Sequence, residues 1–129
     1  MIKNLNPLIF LRLGLGLTYL YSGYDLFFNP QHWYGFVPSA LYKLFTTLPA
    51  IDNYLKFQGL AELAIGTLFL CLFNKTWTVK IASVLTTVEM VLILLFVGID
   101  PITFRDIGLL GGALTLLFIS FKKDRGSER

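Results

Sequence analysis

The sequence predicts an all-α integral membrane protein, a four-helix bundle with an amphipathic extracytoplasmic segment between helices one and two. Three observations carry that expectation. Mean hydropathy is +0.66 and 55% of the 129 residues are hydrophobic, more apolar surface than a small soluble domain needs to fill its core. Four stretches, at about 8–28, 55–73, 79–97 and 104–121, approach the roughly 20 residues that cross a hydrocarbon layer of ~30 Å. Finally, "LAIGTLFLCLF" and "VLILLF" are apolar on every side, whereas the strands of an outer-membrane barrel alternate.

The first span carries Arg12 inside its apolar run, and no small-x-small cleavage pattern follows it, so it reads as a retained signal anchor. The long connection "NPQHWYGFVPSALYKLFTTLPAIDNY" mixes aromatics with prolines and holds an amphipathic piece around 39–48. Such a segment suits the interface, with Trp33, Tyr34 and Phe36 near headgroup depth. Residues 74–78 and 98–103 read as tight turns, the second stopped by Asp100-Pro101, which makes spans two, three and four antiparallel neighbours. No linker or second domain is visible, so residues 1–129 read as one transmembrane domain.

Orientation follows from the cations. Lys3, Arg12, Lys75, Lys80, Lys122, Lys123, Arg125 and Arg129 fall on one side, and Lys43, Lys56 and Arg105 on the other. Positive charge is retained in the cytoplasm, so both termini are expected there. The tail "KKDRGSER" reads as a flexible topogenic anchor near anionic lipid and not as a nucleic-acid arm.

Much chemistry is excluded. Cys71 has no second cysteine to pair with, which removes an internal disulfide and CxxC exchange. One histidine, His32, cannot supply paired haem ligands, and no His/Cys/Asp/Glu spacing suits a metal. No glycine-rich phosphate loop or nucleophile elbow is present.

What remains is charge within the apolar spans, which is costly unless paired or facing a cavity. Arg12, Asp25, Glu62, Glu89 and the Arg105-Asp106 pair qualify. Two readings of Arg105 compete: a bidentate pair with Glu62 or Asp25 in the outer half of the bundle, or a local cap in which Arg105 snorkels and Asp106 meets the positive end of the helix dipole. In "QGLAELAIG" Gly59, Glu62 and Gly66 share a helical face, which admits a close neighbour beside a buried acid. Glu89 is deeper and reads as a hydrogen-bonding group, with Thr86 or a hydroxyl on another helix as its partner. Tyr21 and Asp25 stand one turn apart, adding donors that suit a quinone or a lipid headgroup. Gly108 and Gly112 form a GxxxG pair that reads as packing, within the bundle or in a homodimer.

"FLRLGLGLTYLYSGYDLFFNP", "QGLAELAIGTLFL" and "FRDIGLLGGALTLLF" together resemble the DoxX family of small four-helix bacterial membrane proteins, over nearly the whole chain. Arg12, Gly23, Glu62, Arg105 and Asp106 are the positions that match its pattern. Family members often carry Lys shortly after the glycine that ends helix one, where this chain has Tyr24 and Asp25. The resemblance implies a multi-pass protein of the bacterial inner membrane, associated with a quinone-linked oxidoreductase. No intrinsic cofactor is expected, so electrons would have to come from a partner subunit or a bound quinone. A small transporter or lipid-binding protein, and a non-catalytic assembly subunit, are the alternatives.

Overall fold

The structure, a computed structural model, describes residues 6–71 and 76–127. The expected end of span two at 73, the start of the turn at 74, and the cations Lys3, Lys75 and Arg129 lie outside them. The described chain is helical, with no strand: α1 (Pro7–Phe28), a 3-10 helix (Pro30–Phe36), α2 (Ser39–Leu44), α3 (Leu48–Leu70), α4 (Thr76–Phe96) and α5 (Phe104–Ser127).

Proline marks several of the starts. Pro7 and Pro30 open α1 and the 3-10 helix, Pro38 precedes α2 and Pro49 sits in the first turn of α3. At these places a missing N–H removes no helical bond and a fixed φ is already helical. Asn6 caps α1 by accepting the Leu8 N–H at 3.1 Å. α3 begins at Leu48, seven residues before the span expected from hydropathy, because Ile51 and Leu55 pack with Leu26 and Val37 in a small core under the connection. Trp33 and Tyr34 lie against that core, and Tyr34 donates its hydroxyl to Asp52. The aromatics of the connection therefore fasten it to the tops of α1 and α3.

The four long helices close a ring: α1 packs on α3, α3 on α4, α4 on α5 and α5 on α1. The α1–α3 contact is the closest and runs antiparallel through reciprocal glycines. A Cβ added to Gly23 would stand 2.7 Å from the Gly59 carbonyl oxygen and 2.8 Å from the Leu63 nitrogen. One added to Gly59 would stand 2.8 Å from the Gly23 oxygen, and one added to Gly66 would stand 2.9 Å from the Gly16 oxygen. These obstacles are backbone atoms, which no rotamer change can clear, so the two main chains touch directly.

At the far end of α4, Gly98 adopts a φ of +88°, a conformation that glycine enters without steric penalty. Asp100 Oδ1 then accepts the N–H groups of Ile102 and Thr103, both at 2.7 Å, and the Thr103 hydroxyl donates to the Gly98 carbonyl at 2.7 Å. These backbone donors hold the Asp100 carboxyl below its ordinary range, as expected when the ionised form accepts hydrogen bonds.

The opposite end is basic. Arg12 Nε donates to the Phe69 carbonyl at 3.1 Å and its Nη2 to the Cys71 carbonyl at 2.6 Å. Carbonyls of the last helical turn lack intrahelical partners and carry the negative end of the dipole, so Arg12 caps α3 from α1. Lys80 pairs with Asp124 across α4 and α5, its ammonium 4.4 Å from the Phe121 ring centre.

Two helices, Thr76–Phe96 and Phe104–Gly126, are long and apolar enough to cross a membrane. α1 and α3 are comparably long and carry charged and polar groups, Arg12 and Asp25, and Asp52, Lys56, Gln58 and Glu62 respectively. The outward flanks of the ring are apolar: Phe10, Leu17, Phe57, Leu95 and Phe118 are each at least 60% exposed.

The glycine contact yields a paired prediction. Gly23→Ala should lower stability by about 2 kcal/mol, the usual scale of overpacking. Gly14→Ala, with nothing within 4 Å of the new methyl, should be neutral or stabilising because alanine is the better helix former. Thermal unfolding of both purified variants reads the difference, and equal shifts would refute the contact.

Candidate functional site

Between the two glycine contacts lies a buried polar cluster drawn from three helices. Tyr19 stands between Gly16 and Gly23 on α1, and Glu62 between Gly59 and Gly66 on α3. The reciprocal contact therefore brings them to the same level. α4 completes the cluster with Ser83, Thr86 and Glu89, which recur every three residues on one face.

Gln58 joins the acids, its Nε2 lying 3.4 Å from both Glu62 Oε1 and Glu89 Oε1. At that length each bond is weak, so one amide is stretched between two carboxyl groups. Thr86 and Glu89 face the Tyr19 hydroxyl, and Ser22 faces Glu62. Tyr19 is 2% exposed and Glu62 5%, with Ser83 and Thr86 fully enclosed. The Tyr19 Oη, Glu62 Oε2, Ser83 Oγ, Thr86 Oγ1 and Glu89 Oε2 atoms face one another across the cluster without completing a hydrogen bond of ordinary geometry. Buried polar atoms are ordinarily satisfied, so a concentration of orphans marks a place where structure alone does not account for the residues.

No cation faces the pair among the ion pairs of the described residues, which are Asp25–His32 and Lys80–Asp124. Arg105 is exposed and turns back, its Nε donating to the Ile102 carbonyl at 3.1 Å. The local alternative is thus the geometry seen, and a bidentate bond from Arg105 to Glu62 or Asp25 is not formed. The Ile102 carbonyl, three residues back in the turn, is the acceptor that Arg105 reaches. Arg105 occupies the first turn of α5. Asp106 follows it there, also in the first turn of α5.

Asp25 forms a separate knot at the end of α1. It accepts Asn29 Nδ2 and Trp33 Nε1, each at 2.9 Å, and lies 3.1 Å from His32 Nδ1. Tyr21, one turn from Asp25, points outward at 75% exposure and joins neither group. Of the GxxxG pair, Gly112 lies under Leu11 of α1, 3.2 Å from an added Cβ, whereas Gly108 has nothing within 4 Å.

Sequence reasoning placed Glu62 beside the glycine face but did not assemble it with Gln58, Tyr19 and Ser83. The signals were available: Gln58 is one turn before Glu62, and "SVLTTVE" sets Ser83, Thr86 and Glu89 on one stripe. No protein-family model, curated protein or solved structure matches the chain.

The orphan hydroxyl generates a prediction. Removing an unsatisfied buried group spares its desolvation penalty of about 1–3 kcal/mol, so Tyr19→Phe should leave stability unchanged or raise it. A melting temperature lowered by the loss of that one oxygen would show that Thr86 or Glu89 engages the hydroxyl.

Proposed function

We propose that the chain is a DoxX-like, multi-pass protein of the bacterial inner membrane, with four transmembrane helices and cytoplasmic termini. In this reading it is a redox-associated, quinone-linked subunit whose buried acid pair holds and releases protons. Support for the membrane reading comes from two helices of spanning length and apolarity and from the apolar flanks of the ring. Charge agrees: among the described residues the basic end holds Arg12, Lys80, Lys122, Lys123 and Arg125 against one acid, Asp124, as a cytoplasmic end requires.

One observation carries the site: Glu62 and Glu89 share the Gln58 amide with no cation beside them. Two ionised carboxylates so placed, away from water, repel each other while each has lost its hydration. The pair therefore keeps a proton between its members. A carboxyl that holds a proton is a donor, as is the Tyr19 hydroxyl, and both have unengaged oxygens. Such donors would suit the carbonyl oxygens of a quinone, which would supply the acceptor for electrons delivered by a partner subunit. Glu62 would hand over its proton and recover it through Glu89, with Gln58 holding both carboxyl groups in place.

A second reading is favoured by the oxygen-rich character of the cluster. Glu62, Glu89, Ser83, Thr86 and Tyr19 present only oxygens as orphans, which would suit a small transporter that moves a proton or cation. Organic extraction of protein purified in mild detergent should release a quinone in near-stoichiometric amount, and Glu62→Gln should lower that content several-fold without changing the melting temperature. A blank extraction, with proton-coupled uptake into vesicles abolished by Glu62→Gln, would replace the first reading with the second. Blank results in both assays alongside a stable co-purifying protein would leave an assembly subunit.

A further inference from the structure

At the basic end of the ring, on the opposite side from the Asp25 knot, α1, α4 and α5 enclose a cleft of about 100 Å³. Its lining includes the polar residues Asn6, Arg12, Thr76 and Lys123, and Ile9 and Ile119 give it an exposed apolar wall. We infer that this cleft binds the phosphate of an anionic lipid headgroup, with the first part of an acyl chain against the apolar wall. The inference depends on the membrane reading but not on the acid pair.

Three features support it. The two cations of the rim have no carboxylate partner among the ion pairs of the described residues, since the basic-end acid Asp124 is taken by Lys80. Only two of the five N–H donors that a guanidinium carries are engaged, at the Phe69 and Cys71 carbonyls. Its planar fork suits phosphate oxygens, and a lysine beside it adds a second point charge. Depth is right as well: Arg12 is five residues into α1, about 8 Å from its start, where headgroups meet the hydrocarbon. The wall decides between sources of phosphate. A free phosphate ion would leave Ile9 and Ile119, each 39% exposed, uncovered beside it, whereas a lipid chain covers them. Basic clefts between helices on the cytoplasmic side are suited to anionic headgroups on these grounds.

The test uses the full chain in mild detergent, titrated with phosphatidylglycerol or phosphatidylcholine and read by native mass spectrometry. The expected result is one phosphatidylglycerol retained in preference to phosphatidylcholine. Lys123→Gln should weaken retention about fivefold, the worth of one cation near an anionic headgroup. Lys122→Gln, outside the cleft lining, should not. Equal retention of the two lipids, or equal effects of the two substitutions, would overturn the inference. Lys123-dependent displacement of the lipid by millimolar inorganic phosphate would overturn the lipid assignment in favour of the soluble ion. The membrane reading fails separately, if the chain stays soluble without detergent.

Discussion

Main-chain contact between α1 and α3 is the constraint from which the rest of this structure follows. Where Gly16 meets Gly66 and Gly23 meets Gly59, oxygen atoms occupy the space that side chains would need. The helices consequently approach more closely than ordinary ridge-and-groove packing allows. Such an approach fixes both rotation and register, because a shift by one residue would drive a Cβ into a carbonyl. With register fixed, Tyr19 and Glu62 have no choice but to face the interior together.

That enforced burial sets the energetic problem of the protein. An apolar residue at 62 would pack against Tyr19 and Ser22 without loss, yet the chain holds an acid there and a second one opposite it on α4. Stability is better served by removing both than by keeping both. Residues that lower stability without any packing benefit accumulate where activity needs them. Elsewhere the same chain satisfies its polar groups thoroughly: Asp25 accepts from two side-chain donors beside His32, Asp100 from two backbone amides, and Arg12 reaches across to α3. The contrast between these satisfied sites and the orphaned oxygens at the centre distinguishes scaffold from site.

Much of the helical order was legible in the sequence because it depends on local signals. Hydrophobic stretches placed the long helices, Asp100-Pro101 marked the last turn, and the Gly59, Glu62, Gly66 spacing marked a face. Legibility ended where partners are remote in the chain. Arg12 reads locally as a snorkelling cation, but its hydrogen bonds run to carbonyls 57 and 59 residues away. Gln58 and Glu89, 31 residues apart, share no local pattern at all. Arg105 shows the converse: of its two readings, a distant acid and a local turn, the local one holds because the nearest carbonyl is a sufficient acceptor. The start of α3 was missed for a similar reason, since its first seven residues are held by packing under the connection and not by hydropathy.

The reciprocal glycines also dictate which seam can move. Sliding or rolling α1 on α3 would collide backbone with backbone at two levels at once, so these helices must travel as a single rigid plate. On the other flank, α3 and α4 share apolar core residues, and their polar link is the Gln58 amide reaching two carboxyl groups at 3.4 Å each. Any opening that admits a guest to the acids therefore runs along α3 and α4, with the α4–α5 hairpin as the swinging leaf and the left-handed Gly98 turn carried along with it.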